Sequence, residues 1–200
     1  MEDLNFDGTK IGLIVRGKTG PQHAPDLMAQ HADVILADGS PMGFFGDGDP
    51  FSGASLGLGS SATSGINLRG TVFDYEQMKI HRPYYVDLNL AMSKYRVIST
   101  VLVISVSKTE ADLFANYWKT LKNATGIFNI LGYNCSTRAS QAFAHSGVTR
   151  SGIPGLDTPN NLYKQISATR GNKIGSHTGY LGFVKKPDGS GFEVKLEPSK

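Results

Sequence analysis

The most apolar stretch of the chain, Tyr95 to Val106, runs straight into Ser107-Lys108-Thr109-Glu110. The first segment has the length and β-branched content of a central strand. The second is a capping box, with Ser107 at the helix N-cap and Glu110 reaching back to it. A buried strand handing over directly to a helix is the strongest single constraint on the fold, because sheet and helix must then bury a shared core. The predicted helix carries Leu113, Phe114, Tyr117, Trp118 and Leu121 at spacings of three and four, which makes one apolar face.

The other segments agree with that frame. Ile11–Val15, Ala32–Ala37, Met42–Phe45 and Tyr84–Leu88 read as strands, and Asp38-Gly39 reads as the tight turn joining the second to the third. Cys135 to His145 reads as a helix with the small apolar face Ala139, Ala142 and Phe143. Thr158-Pro159 opens a further short helix through Leu162, Tyr163 and Ile166. Tyr180–Val184 and Phe192–Leu196 form a terminal hairpin around Pro187–Gly191. Gly46 to Gly70, dominated by Gly, Ser and Asp, reads as a long surface loop able to wall or cover a cleft. The predicted class is α+β, one domain over residues 1–200 with an antiparallel sheet packed against helices.

Composition removes several function classes. A single cysteine excludes an internal disulfide and a cysteine-rich zinc site, so packing alone must hold the fold. The net charge of +3 is mild and no basic run resembles a nucleic-acid arm. The run Val97–Val106 is too short to span a bilayer, so no membrane insertion is expected. The first residues, Met-Glu-Asp-Leu-Asn-Phe-Asp, are acidic where a secretory signal is basic and then apolar, and synthesis in the cytoplasm without such a signal is the expectation. No lysine-bearing phosphate loop, Gly-x-Ser-x-Gly elbow or His-Glu-x-x-His occurs, and no cofactor or metal is expected.

What remains is the lone cysteine. Cys135 follows the turn residue Gly132 and opens a helix, where unpaired N–H groups and the macrodipole favour thiolate over thiol. A thiolate needs a proton partner, and five histidines are available. His145 closes the cysteine's own helix, about 15 Å away at ~1.5 Å per residue, and is thereby excluded. His23 and His81 read as loop residues. His31 and His177 both stand at strand starts where an imidazole can face a helix N-terminus. For a third, orienting group Asp47 lies just past the strand that partners His31's own; Asp33, Asp38 and Asp87 are alternatives, and a bare dyad is also open. The Cys135 backbone N–H can serve as one oxyanion donor, with a side chain as the second.

These residues resemble a family. His31-Ala-Asp-Val-Ile-Leu-Ala-Asp-Gly39, then Gly43-Phe-Phe45, resembles the histidine strand and hairpin of the circularly permuted NlpC/P60 (papain-like) cysteine hydrolases. Tyr133-Asn134-Cys135, the small-residue helix and Gly147 resemble their nucleophile helix, and Asn160-Asn-Leu-Tyr163 fits after it. In the permuted order the histidine precedes the cysteine. The resemblance, over roughly residues 30–166, implies a papain-like sheet and hydrolysis of amide bonds in peptidoglycan peptides. It also implies Cys135 as nucleophile and His31 as base. A free-standing domain of this kind is similar to type VI secretion effectors, which implies action in a target cell's periplasm, a secretion-apparatus component and a cognate immunity protein as partners. A lipid acyltransferase or thioesterase of the same superfamily, and a non-catalytic toxin or binding domain, are the alternatives. The Ser176-His177-Thr-Gly segment also resembles the histidine strand of the unpermuted family.

Overall fold

The computed structural model describes residues 1–25, 30–47, 68–124, 126–128, 133–150 and 158–199. Its strands are β1 (Glu2–Leu4), β2 (Lys10–Arg16), β3 (His31–Ile35), β4 (Pro41–Asp47), β5 (Leu68–Phe73), β6 (Ile98–Ser105), β7 (Gly126–Phe128), β8 (Ile174–Lys185) and β9 (Phe192–Pro198). Its α-helices are α1 (Tyr75–His81), α2 (Leu88–Leu90), α3 (Lys108–Asn123), α4 (Cys135–His145) and α5 (Pro159–Arg170). All described strands join one antiparallel sheet in the order β1-β9-β8-β6-β2-β3-β4-β5-β7. The class is therefore mixed α and β with an antiparallel sheet.

The sheet is covered on both faces. Alternation along β2 sends Ile11, Leu13 and Val15 into one cluster with Phe114 and Trp118 of α3, Ala139 and Phe143 of α4, and Leu162 and Ile166 of α5. Ile14, one step out of phase, joins Ile35, Phe45, Met78, Tyr85, Val101 and Leu181 on the opposite face. The β3–β4 hairpin turns at Asp38-Gly39 as the sequence suggests. Gly39 has φ +86° and Leu36 N–H donates to Ser40 O at 2.8 Å.

Ser107 caps α3 as expected. Its side chain accepts from Glu110 N–H at 3.2 Å, and Glu110 Oε2 accepts from Ser107 N–H at 2.7 Å. The same Glu110 meets Arg170 of α5 at 2.5 Å, and Arg170 Nε donates to Val148 O at 2.9 Å beyond α4, so the cap also locks the helical layer. Replacing Ser107 by alanine removes one acceptor for the orphan N–H groups and is expected to lower unfolding free energy by about 1 kcal/mol, read by chemical denaturation.

Two expectations are corrected. Tyr84–Leu88 is not a strand: Pro83–Tyr85 is a 3-10 turn and Leu88 begins α2. Pro83 at the first helical position and Asp87 as an N-cap, accepting from Leu90 N–H at 3.0 Å, override the period-two pattern. The loop assigned to Gly46–Gly70 is also too long at both ends, since Gly46 and Gly70 face one another in the β4–β5 ladder. Gly70 has to be glycine there, because a Cβ would fall 2.1 Å from Phe44 Cζ. Residues 48–67 lie outside the described residues, and with them the expected lid. Strands β1, β5 and β7 and helix α1 were not foreseen in the sequence. Among the described residues no helix is long and apolar enough to cross a membrane.

Candidate active site

Helix α4 begins at Cys135 because Asn134 ends the preceding loop as an N-cap, its side chain accepting from Thr137 N–H at 2.9 Å. Cys135, Ala139, Ala142 and Phe143 lie one above another at spacings of three and four and face the sheet. The thiol thus arrives over β3 and is only 3% exposed.

The sheet opens where it arrives. The β3–β4 ladder ends at the Asp33–Gly43 pair. One residue earlier, Ala32 gives its backbone N–H to Cys135 Sγ at 3.5 Å, and the Ser136 hydroxyl lies 3.9 Å from the sulfur. His31, the first residue of β3, is equally buried, with its ring stacked on Phe45 at 4.4 Å and on Tyr85 at 5.8 Å. Its Nε2 lies 2.8 Å from Asp33 Oδ1. An ionised carboxylate only accepts, so Nε2 carries the proton there. Nδ1 is the nitrogen left to exchange a proton with Sγ, and it is buried with no hydrogen bond of ordinary geometry among the described residues.

The charges follow from this packing. Burial alone would pull the imidazole's pKa down, but the thiolate of Cys135 and the carboxylate of Asp33 outweigh it and raise His31 to about 9. Burial pushes the Cys135 thiol up, whereas the His31 imidazolium, Ala32 N–H and Ser136 hydroxyl pull it below its ordinary value. Asp33 is likewise pushed up by burial and held below the usual carboxylate range by His31 and Arg16. The arrangement is that of a thiolate–imidazolium pair with the ring oriented from behind by a carboxylate, the organisation a cysteine nucleophile requires.

The strand's entry is tied down as well. Asn160, at the second position of α5, gives its N–H to Gln30 Oε1 at 3.0 Å, immediately before His31. Asn160 Oδ1 accepts from Lys18 Nζ at 2.9 Å, and the same buried ammonium donates to His23 O and lies 4.6 Å from the centre of the Tyr163 ring. The start of α5 and the start of α4 therefore meet the same end of the sheet.

Of the residues singled out in the sequence, the structure brings Cys135 and His31 together. As the orienting carboxylate it is Asp33, one of the alternatives to Asp47, that meets the ring. Asp47 closes β4 with its backbone opposite Arg69, and its side chain lies outside the described residues. Asp38 serves the hairpin turn, accepting from Ser40 N–H, and Asp87 caps α2. His177 lies within β8 opposite Val101, its Nδ1 2.9 Å from Glu2 Oε1. His23 Nδ1 accepts from Thr19 N–H, His81 stacks on Phe73, and His145 lies against Tyr117. Sequence reasoning missed Arg16, whose Nε donates to Asp33 Oδ2 at 2.9 Å. Its signal was weak, because nothing short of the β2–β3 register sets Arg16 opposite His31. Among the described residues no three His, Cys, Asp or Glu side chains group as a metal ion would need. Compared with protein-family models, with curated protein sequences and with solved structures, the chain matches none of them.

Proposed function

We propose that this protein is a papain-like cysteine hydrolase of amide bonds, with Cys135 as nucleophile, His31 as acid–base and Asp33 as the orienting carboxylate. One observation carries the reading: a thiol on the first residue of a helix, buried beside an imidazole whose other nitrogen is held by a buried carboxylate. Sγ attacks the carbonyl carbon, and the Cys135 backbone N–H faces the oxygen as charge develops on it. The imidazolium gives its proton to the leaving nitrogen, the C–N bond breaks, and a thioester remains. Water then gives a proton to His31 and its oxygen to the acyl carbon, the carboxylic acid leaves, and the thiolate–imidazolium pair is restored.

Peptidoglycan peptides are the proposed substrate. Support comes from the resemblance of the His31 strand and the Asn134-Cys135 helix to the NlpC/P60 hydrolases, and the same resemblance supports a role as an antibacterial effector acting in the periplasm of a target cell. Purified wall material is digested with wild type and with Cys135→Ala, and soluble fragments are resolved by mass. New amide-cleaved fragments from wild type alone are expected. Fragments produced equally by the alanine variant, or none from walls of several peptide chemotypes, would overturn the wall-hydrolase reading.

A further inference from the structure

Asp33 holds a charge in a place water does not reach, at 0% exposure, and each of its oxygens has its own cation. Oδ1 meets His31 Nε2 at 2.8 Å and Oδ2 meets Arg16 Nε at 2.9 Å. Arg16 is itself 1% exposed and is fixed at two further points. Its Nη2 donates to Tyr85 O at 3.0 Å, and its guanidinium lies 4.4 Å from the centre of the Tyr85 ring, the ring that also stacks on His31. Opposite Asp33 across the strands is Gly43, where a Cβ would stand 2.2 Å from Oδ1. The carboxylate thus has a gap to sit in, the Arg16 Nε–H on one oxygen and the imidazole on the other.

We propose that Arg16 is a positioning residue for the Cys135–His31 pair. It keeps Asp33 ionised and turns Oδ1 onto Nε2, which fixes the ring's tautomer and angle without touching the reacting atoms. The inference rests on the cysteine-hydrolase reading and extends it to β2. Folding alone does not call for this pair, since apolar residues of like volume serve a core as well as a buried ion pair does. A carboxylate required at Nε2 does call for it. The guanidinium's shape matters beyond its charge, because a lysine ammonium cannot hold Asp33 and Tyr85 O together in one plane.

Among the described residues, the titratable and charged groups facing His31 and Asp33 are Arg16 from β2, Cys135 from α4 and Tyr85 from the 3-10 turn, and Arg82 and Tyr84 act on Tyr85 in turn. Burial raises the pKa of both tyrosines, so they stay neutral across the working range. The acid limb of Cys135 reactivity then reports the thiolate as held by the cations around it.

The test is the pH profile of Cys135 alkylation by iodoacetamide, followed by intact mass in wild type, Arg16→Gln, Arg16→Lys and the capping variant Ser107→Ala. Arg16→Gln is expected to move the midpoint of the acid limb upward by about one pH unit, a roughly tenfold slower reaction on that limb, with Arg16→Lys in between. Ser107→Ala, destabilised but remote from the pair, keeps the wild-type midpoint. If Arg16→Gln does not fold, Arg16→Lys decides alone. A folded Arg16 variant of either kind with the wild-type midpoint overturns the positioning role and leaves the hydrolase reading standing. A wild-type thiol that titrates like an ordinary one overturns both.

Discussion

Exchanging His31 for alanine is expected to slow alkylation of Cys135 at pH 6.5 on the order of 100-fold, since each unit of thiol pKa changes the thiolate fraction tenfold. The thiol is buried, and burial disfavours its anion; the largest opposing influence is the imidazolium beside it. Without that charge, the Ala32 N–H, the Ser136 hydroxyl and the helix N-terminus are left to oppose burial, and the pKa climbs. The sign of the pH dependence is fixed accordingly. In wild type the thiolate forms below the ordinary thiol range and remains at higher pH, where only its imidazolium partner is lost as His31 gives up its proton near pH 9. In the variant it forms only on the alkaline side, so the two profiles diverge most under acid and neutral conditions and converge above about pH 10. Rates from pH 5 to 10, taken as ratios within each protein, cancel the slow entry of reagent to a buried sulfur. His177→Ala is the internal comparison. That ring bonds Glu2 on the β1 side of the sheet, and its removal leaves the Cys135 profile unchanged. Superimposable profiles for wild type and His31→Ala would sink the pair.

Local chemistry explains which parts of this site were legible in the sequence. The helix start at Cys135 and the small apolar face of α4 depend on neighbours within one or two turns and appear where the sequence puts them, while the strand expected over Ala32–Ala37 begins one residue earlier, at His31. Asp33 was within reach by the same logic. Residues i and i+2 of a strand share a face, so the carboxylate two places after His31 had the better geometric claim than Asp47 on the next strand. Arg16 and Gly43 were not legible. Gly43 makes room for Asp33 opposite it and Arg16 reaches Asp33 diagonally, two places along from its own partner His31, and register is a property of the whole sheet that no short motif carries. The same holds for the three-residue edge strands β1 and β7, which acquire their conformation from the strand they join, and for β5, which lies between β4 and β7. Tyr84–Leu88 failed in the opposite sense: its alternation was real, but Pro83 and Asp87 gave the backbone hydrogen bonds a helical destination.

Asp33→Asn is expected to cost about 3–5 kcal/mol of unfolding free energy at neutral pH, the loss seen when one partner of a buried ion pair is removed. The amide cannot balance two cations. Arg16, fixed by Tyr85 and enclosed by the sheet, keeps its charge with no anion at Oδ2, and His31 must give up its proton or stay charged against a neutral group. The pH dependence separates this cause from mere misfit of the side chain. The folded pKa of Asp33 is depressed, so its contribution is complete above the unfolded carboxylate value and is lost as pH falls through the lower folded one. The gap between wild type and Asp33→Asn therefore persists from pH 8 to about 5, widening as pH falls because the raised pKa of His31 depends on Asp33, and closes only on stronger acidification, when wild type protonates Asp33 and becomes the equivalent of its variant. Urea denaturation of both proteins at a series of pH values measures the gap directly. A gap below 1 kcal/mol at pH 7, or one that closes while Asp33 is still ionised, would show that the carboxylate does not hold Arg16 and His31 together. The double variant Arg16→Gln with Asp33→Asn removes the stranded charge on that side, and it recovers part of the loss only if that charge was the cause.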